Sequence, residues 1–377
     1  MHKSHERSLE ALARRGRQRA LTAAAGADFA SNDYLGLAAS PELRDAARAS
    51  LERGVPVGAG GSRLLRGNHR EHEALEAEAS AFFGAESALF LGSGFMANVA
   101  LFSTLPQRGD LIVHDALIHA SVHDGMRASK AERSEARHND PQAFEDAIRD
   151  WRVAGGAGTP WIAVESLYSM DGDRAPLAEL MDIVERHDGM LVIDEAHATG
   201  VWGREGRGLG AALEGRENVV SLHTCGKALG VSGALILGAS VLRDYLVNRC
   251  RPFIYATAPS PLDAALVRAA LLVCRFDAAR RERLQALVAS AGRRLEATCG
   301  LTTSGSQIQP VIVGADERAV RLAAAMQARG FDIRAVRPPT VPEGTARLRL
   351  SLTLNVDEAC VEAMTDALAA ELKGLGP

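Results

Sequence analysis

Lysine is nearly missing from this chain: 377 residues contain four, Lys3, Lys130, Lys227 and Lys373. Cysteine is also sparse. The five residues Cys225, Cys250, Cys274, Cys299 and Cys360 are odd in number, far apart and never in a C-x-x-C pair, which disfavours both a disulfide framework and a zinc site. A reducing, cytoplasmic setting is expected. There is no basic excess, since 43 Lys and Arg face 47 Asp and Glu for a formal charge of -4, and the arginines are scattered rather than clustered, so nucleic acid is not an expected partner. Long hydrophobic runs are absent as well. "AALVRAALLVC" (264–274) is broken by Arg268 and falls short of the ~20 apolar residues that a membrane span requires. The alanine-rich "ALTAAAGA" (20–27) is short and closed by Asp28, so it reads as mature protein rather than a signal segment.

What is present is an alternation of helical and strand periods. Hydrophobic residues make up 47% of the chain, ample for a buried core, and the length suggests two domains. Ser40-Pro41 predicts a helix start, with the helix continuing to Gly54. A second helix is expected from about Glu71, with Leu75, Ala79, Phe82 and Phe83 on one stripe and Gly84 as its stop. Apolar runs then recur as "SALFLG", "DLIVHD", "WIAVES", "MLVIDEAH", "NVVSLHT" and "GALILG", with helical patterns between most of them, notably 141–152 and 176–188. That pattern predicts an α/β fold with a mostly parallel sheet covered by helices, whose ligands sit at the carboxyl ends of the strands. Three further strand-like runs, "IQPVIVG", "GFDIRAV" and "ARLRLSL", predict a smaller α+β unit. The expected division is an N-terminal segment (1–38), a large domain (39–265) and a small C-terminal domain (266–377).

The apolar run ending in Asp194-Glu195-Ala196-His197 spells the DEAH box of nucleic-acid helicases. An ATPase of that kind needs a G-x-x-x-x-G-K-[ST] phosphate loop upstream. None exists, and the sole Gly-Lys pair, Gly226-Lys227, lies downstream and is followed by Ala228. Asp194 therefore needs another chemistry. Lys227 is the one lysine that follows a strand-like run and opens a glycine-rich turn, "GKALGVSGA", the setting expected of an amine that forms an imine in a partly desolvated pocket. A pyridoxal phosphate (PLP) site explains its companions together. An Asp at a strand end can keep the cofactor's ring nitrogen protonated, and His197 can reach the ring's phenolic oxygen. The Gly-Ser-Gly turn in "LGSGFMANVA" can offer N-H donors to a phosphate at a helix start, and His119, after "DLIVHD", can lie on the ring face. Each of these residues also has an ordinary structural role, so their combination carries the reading.

Eight segments in order make the combination specific: "SNDYLGL" (31–37), "GAGGSR" (58–63), "SGFMAN" (93–98), "HASVHDG" (119–125), "YSMDGD" (168–173), "DEAHATGVWGREGRG" (194–208), "HTCGKALGVSG" (223–233) and "RPPTVPEGTARLRLSL" (337–352). In order and spacing they resemble the α-oxoamine synthase family of fold-type I PLP-dependent enzymes, from about residue 30 to the end. The C-terminal run, with "IQPVIVG" before it, is most similar to the branch that serves biotin biosynthesis. The resemblance implies an aspartate aminotransferase-like large domain, PLP as cofactor, and an acyltransferase that condenses L-alanine with a pimeloyl thioester, delivered as pimeloyl-CoA or pimeloyl-acyl carrier protein, with loss of CO2. Relatives in the same family use glycine or serine instead of alanine.

The resemblance also assigns residues. Lys227 is expected to hold PLP and then to act as general base at the alanine Cα, with Asp194 holding the ring-nitrogen proton and His119 on the ring. Ser169 and His197 are expected around the cofactor oxygen, and Gly94, Phe95 and Thr224 at the phosphate. Arg349 is assigned to the substrate carboxylate, although strand alternation puts Arg347 on the same face. Thr340 is assigned to the substrate on resemblance alone. An N-terminal arginine contacts the acyl group in this family; Arg14, Arg15, Arg17 and Arg19 are all candidates here. A homodimer with shared active sites is implied, Asn32 and Thr257 reaching across from the partner. Glu195 receives no role.

Overall fold

The computed structural model describes residues 2–374, which divide into two compact units. Unit 2 comprises residues 35–169 and 174–281, and unit 1 comprises 1–34, 170–173 and 282–377. The chain opens in unit 1 with helix α1 (Lys3–Arg14) and the two-residue strand β1 (Ala27–Asp28).

Unit 2 then runs through α2 (Pro41–Glu52), α3 (Arg70–Phe83), β2 (Ser87–Leu91), α4 (Gly94–Thr104), β3 (Leu111–Asp115), α5 (Ala120–Ala128), β4 (Glu132–Ala136), α6 (Pro141–Val153), β5 (Pro160–Glu165), α7 (Leu177–Arg186), β6 (Met190–Asp194), β7 (Val219–Thr224), β8 (Ala234–Gly238), α8 (Ser240–Arg249), α9 (Arg251–Ile254) and α10 (Pro261–Phe276). Local chemistry sets the helix ends. Ser40 caps α2 by accepting the Leu43 N-H at 3.2 Å, with Pro41 at the first helical position. Gly84 ends α3 at φ +90°, a conformation that costs glycine nothing.

The seven strands order as β2-β8-β7-β6-β5-β3-β4. Strands β4, β3, β5, β6 and β7 are mutually parallel, and β8 is antiparallel to both of its neighbours. Strands β5 and β7 are buried at every position, as expected of a sheet covered on both faces. Alternation sorts their side chains. Trp161, Ala163 and Val192 join the cluster under α4 and α5, whereas Ile162, Val164, Leu191 and Ile193 join the one under α6 and α7. Strand β4, "ERSEA", is the one that apolar runs do not announce. It is a largely exposed edge strand, and charge on an edge guards against unwanted pairing.

Unit 1 continues with α11 (Ala278–Cys299), inside which the division falls, followed by β9 (Ile308–Gly314), α12 (Asp316–Ala328), β10 (Phe331–Asp332), β11 (Arg334–Val336), β12 (Ala346–Ser351) and α13 (Glu358–Gly374). Residue 265, the anticipated end of the large domain, lies within α10. Antiparallel β11-β12-β9 form one sheet, and β10 pairs in parallel with β1. The run "GFDIRAV" thus serves two sheets, and the N-terminal segment up to Tyr34 belongs to the C-terminal unit. No helix among the described residues is long and apolar enough to cross a membrane, and the five cysteines are unpaired.

Candidate functional site

The carboxyl ends of β3, β5, β6 and β7 deliver Asp115, Glu165, Asp194 and Thr224. Alternation continues through these ends. Asp194 follows Val192 toward the α4 and α5 face, and Glu195 turns to the other. Asp194 is buried; its Oδ2 accepts from Asn98 Nδ2 of α4 at 2.8 Å and its Oδ1 from the Ala196 N-H at 2.9 Å. The same Asn98 amide donates to Ser121 Oγ at 3.0 Å, and Ser121 Oγ lies 2.7 Å from His119 Nδ1. A line of polar contacts therefore joins Asp194 to His119 across two helix starts. Burial holds the His119 imidazole below its ordinary pKa; Asp194 opposes that shift and Lys227 adds to it. A neutral ring results, suited to lying against an aromatic cofactor.

Lys227 leaves β7 through a tight loop. The Cys225 N-H donates to Gly233 O at 2.8 Å and the Gly230 N-H to Lys227 O at 2.9 Å. Gly230 is required there: at φ +68°, a Cβ would come within 2.5 Å of the Ala38 nitrogen. The loop holds Lys227 half-buried with its Nζ 3.0 Å from His197 Nε2. At the start of α4, Ser93 caps the helix by accepting the Met96 N-H at 3.2 Å. The first-turn N-H groups of Gly94 and Phe95 have no acceptor within the helix, the arrangement that suits an anion at a helix start. Phe95 presents only its backbone, its side chain being half-exposed. A Cβ on Gly94 would lie 2.4 Å from Thr224 Cγ2, so Gly94 and Thr224 are in direct apposition. Ser169 is buried and donates its N-H to Glu165 Oε2 at 2.9 Å. Thr257 lies exposed between α9 and α10, outside all of these bonds.

These groups fit a PLP molecule. The buried Asn98 Oδ1 and Glu165 Oε1 lack partners among the described residues, and buried polar atoms left open beside a carboxylate mark a place for a polar ligand. No group of acids, histidines or cysteines among the described residues could hold a metal.

Unit 1 carries the other expected residues. Arg347 is occupied, its Nη1 forming an ion pair with Asp171 at 2.5 Å. Arg349, two residues on and buried, donates to Ser351 Oγ at 2.7 Å and Tyr34 OH at 3.2 Å, and Tyr34 OH donates to Asn32 Oδ1 at 3.0 Å. Among the N-terminal candidates, Arg17 pairs with Asp316 and Glu343, each at 2.6 Å. Arg15 and Arg19, with Leu9, Leu12 and Val341, line a cavity of about 470 Å³, and Arg19 Nη2 reaches Thr340 Oγ1 at 3.4 Å.

Three residues on and beside this polar line, Asn98, Ser121 and Glu165, are not announced by the sequence. The available signal was polar residues within otherwise buried helical and strand runs. Glu195 has a structural task. Fully buried, it accepts from Ser166 Oγ at 2.6 Å, from the Leu209 N-H at 3.1 Å and from the Gly210 N-H. It thereby pins the 208–210 turn beneath the sheet end.

The family described as aminotransferase class I and II matches residues 25–368. An 8-amino-7-oxononanoate synthase of Chromobacterium violaceum is 44% identical over 90% of this chain and 88% of its own. Among solved structures, a serine palmitoyltransferase from S. paucimobilis with a bound PLP-myriocin aldimine superposes with TM-score 0.88 at 25% identity, covering 100% of this chain and 98% of that one. An 8-amino-7-oxononanoate synthase from Francisella tularensis superposes with TM-score 0.78 at 27% identity, covering 93% and 98%.

Proposed function

This chain belongs to the aminotransferase class I and II family, and we propose that it is a PLP-dependent acyltransferase condensing L-alanine with a pimeloyl thioester, giving 8-amino-7-oxononanoate, CO2 and the free thiol carrier. The observation that carries the reading is the placement of Lys227 Nζ 3.0 Å from His197 Nε2, beside a strand-end Asp194 held by two N-H donors. When bound, PLP supplies an electron sink for the carbanion at the amino acid's Cα.

The protein's own residues do the rest. Lys227 would hold the cofactor through its amine, and that amine, when neutral, would take the proton from the alanine Cα. Its neighbour His197 orients that amine and reaches the cofactor's phenolic oxygen with Ser169. Asp194 keeps the proton on the ring nitrogen. His119 covers the ring, and the Gly94 and Phe95 N-H groups with Thr224 hold the phosphate. Arg349 grips the substrate carboxylate, for which a planar guanidinium is suited. In unit 1, the apolar side chains of the Arg15 and Arg19 cavity suit a methylene chain and its cations suit a terminal carboxylate, with Thr340 Oγ1 3.4 Å from Arg19 Nη2. A homodimer sharing Asn32 and Thr257, in a cytoplasmic setting, completes the proposal.

The test is turnover with alanine, glycine or serine against pimeloyl-CoA and pimeloyl-acyl carrier protein, read as thiol release and product mass. Alanine-dependent release with the mass of 8-amino-7-oxononanoate is expected. Preference for glycine or serine would move the protein to another branch of the family.

A further inference from the structure

Two buried acids stand on neighbouring strands at the end of the sheet. Glu165 and Asp194 are register partners on parallel strands β5 and β6, and alternation from Ala163 and Val192 points both toward the same face. Glu165 is 2% exposed and Asp194 5%. Side by side in a desolvated site, two such groups do not both ionise at neutral pH.

The hydrogen-bond donors break the tie. Asp194 accepts from Asn98 Nδ2 and from the Ala196 N-H. Among the described residues, Glu165 accepts a bond from the Ser169 N-H and its Oε1 has no partner. N-H donors favour the charged form, so the charge belongs on Asp194. Other charged groups that act on Glu165 include Lys227 beyond β7 and Asp115 at the end of β3. Asp115 is itself committed to His138 Nδ1 at 2.8 Å and to the N-H groups of Leu117 and Asn139. Burial first, then the Asp194 charge, push the Glu165 carboxyl up to about 8, against the pull of Lys227.

We infer that Glu165 is the neutral member of a pair of neighbouring buried acids and a positioning residue for Asp194: it keeps its proton, so that a single negative charge stands on Asp194 toward the cofactor's ring nitrogen. The role toward the cofactor rests on the function proposed above, whereas the neutral state of Glu165 does not. A protonated carboxyl also has an O-H to donate, which gives the unpartnered oxygen a bond to make once the site is filled.

The sign of the pH dependence follows. The folded-state pKa lies above the ordinary 4.5, so the contribution of Glu165 to stability is complete below about 4.5 and is lost as pH rises toward about 8. Glutamine imitates the neutral acid and does not titrate. Cofactor-free wild type and Glu165→Gln are therefore compared by thermal unfolding from about pH 5 to about pH 8.5. The Tm difference, variant minus wild type, is expected to climb by a few degrees across that range and then level off; parallel curves overturn the inference.

Infrared difference spectra of the wild type keep the inference testable should the variant fail to fold. A protonated-carboxyl band present near pH 6.5 and lost above pH 9 is expected, and its absence at both overturns the assignment. In the cofactor-loaded protein, Glu165→Gln is expected to keep the cofactor's visible absorbance near neutral pH, whereas Asp194→Asn shifts it. Loss of cofactor absorbance in every form, with the stability slopes intact, would sink the proposed function and leave the acid pair standing.

Discussion

At the scale of single residues, the candidate site rests on buried polar groups whose partners are few and specific. Replacing Lys227 with alanine removes the amine beside His197; the expected outcome is loss of the bound cofactor's visible absorbance and of turnover, read by a single spectrum and a thiol-release assay. Asn98→Ala takes one N-H from Asp194 and one from Ser121. Leaving buried acceptors unpaired costs about 1–3 kcal/mol, and urea titration should show a loss of that size together with weaker cofactor binding. Glu195→Ala makes a contrasting case. It strands the Ser166 hydroxyl and the Leu209 and Gly210 N-H groups, so a stability loss of about 3 kcal/mol or more is expected. A variant that lost turnover while keeping wild-type stability would contradict that structural task.

At the scale of elements, helix starts and strand ends do the positioning. At the first turn of α4, Gly94 leaves room for Thr224. A Cβ placed there would lie 2.4 Å from Thr224 Cγ2, well inside contact distance. Gly94→Ala is therefore expected to displace Thr224 and weaken cofactor affinity about tenfold or more, a change of about 1.4 kcal/mol, measured by equilibrium titration. The N-terminal arginines divide in a similar way. Arg19 lines the unit 1 cavity and reaches Thr340, so Arg19→Ala is expected to raise the KM for the pimeloyl thioester about tenfold with little change for alanine. Equal KM changes for both substrates would remove the cavity from the acyl-binding role. Strand β4 shows how legible elements were. Buried strands declare themselves by apolar runs, but "ERSEA" faces solvent on an edge and is held by pairing with β3, which no local pattern records.

At the scale of the whole molecule, cofactor and fold are linked by mass action. A ligand that binds only the folded state at one hundred times its Kd adds about 2.7 kcal/mol, so removing PLP should lower Tm by a few degrees, and less so in Lys227→Ala, whose binding is already weakened. An unchanged Tm on adding PLP would count against the cofactor reading.

The sequence by itself determined the parts that depend on near neighbours. These are the alternation of strands and helices, the Ser40 and Gly84 helix ends, the placing of Asp194 at a strand end, and the distinctness of Lys227 among four lysines. Such features follow from periods of about 2 and 3.6 residues and from caps spanning a few positions, which the order of residues states directly. Tertiary structure alone decided what lies across from what. It laid Asn98 on Asp194, 96 positions away, and set Glu165 in register with Asp194. It joined the N-terminal segment to the C-terminal unit. It also spent Arg347 on Asp171 while Arg349 bonded to the hydroxyls of Ser351 and Tyr34. Such pairings are chosen by packing and by the cost of leaving buried polar groups unpaired, and that balance exists only once distant segments have met.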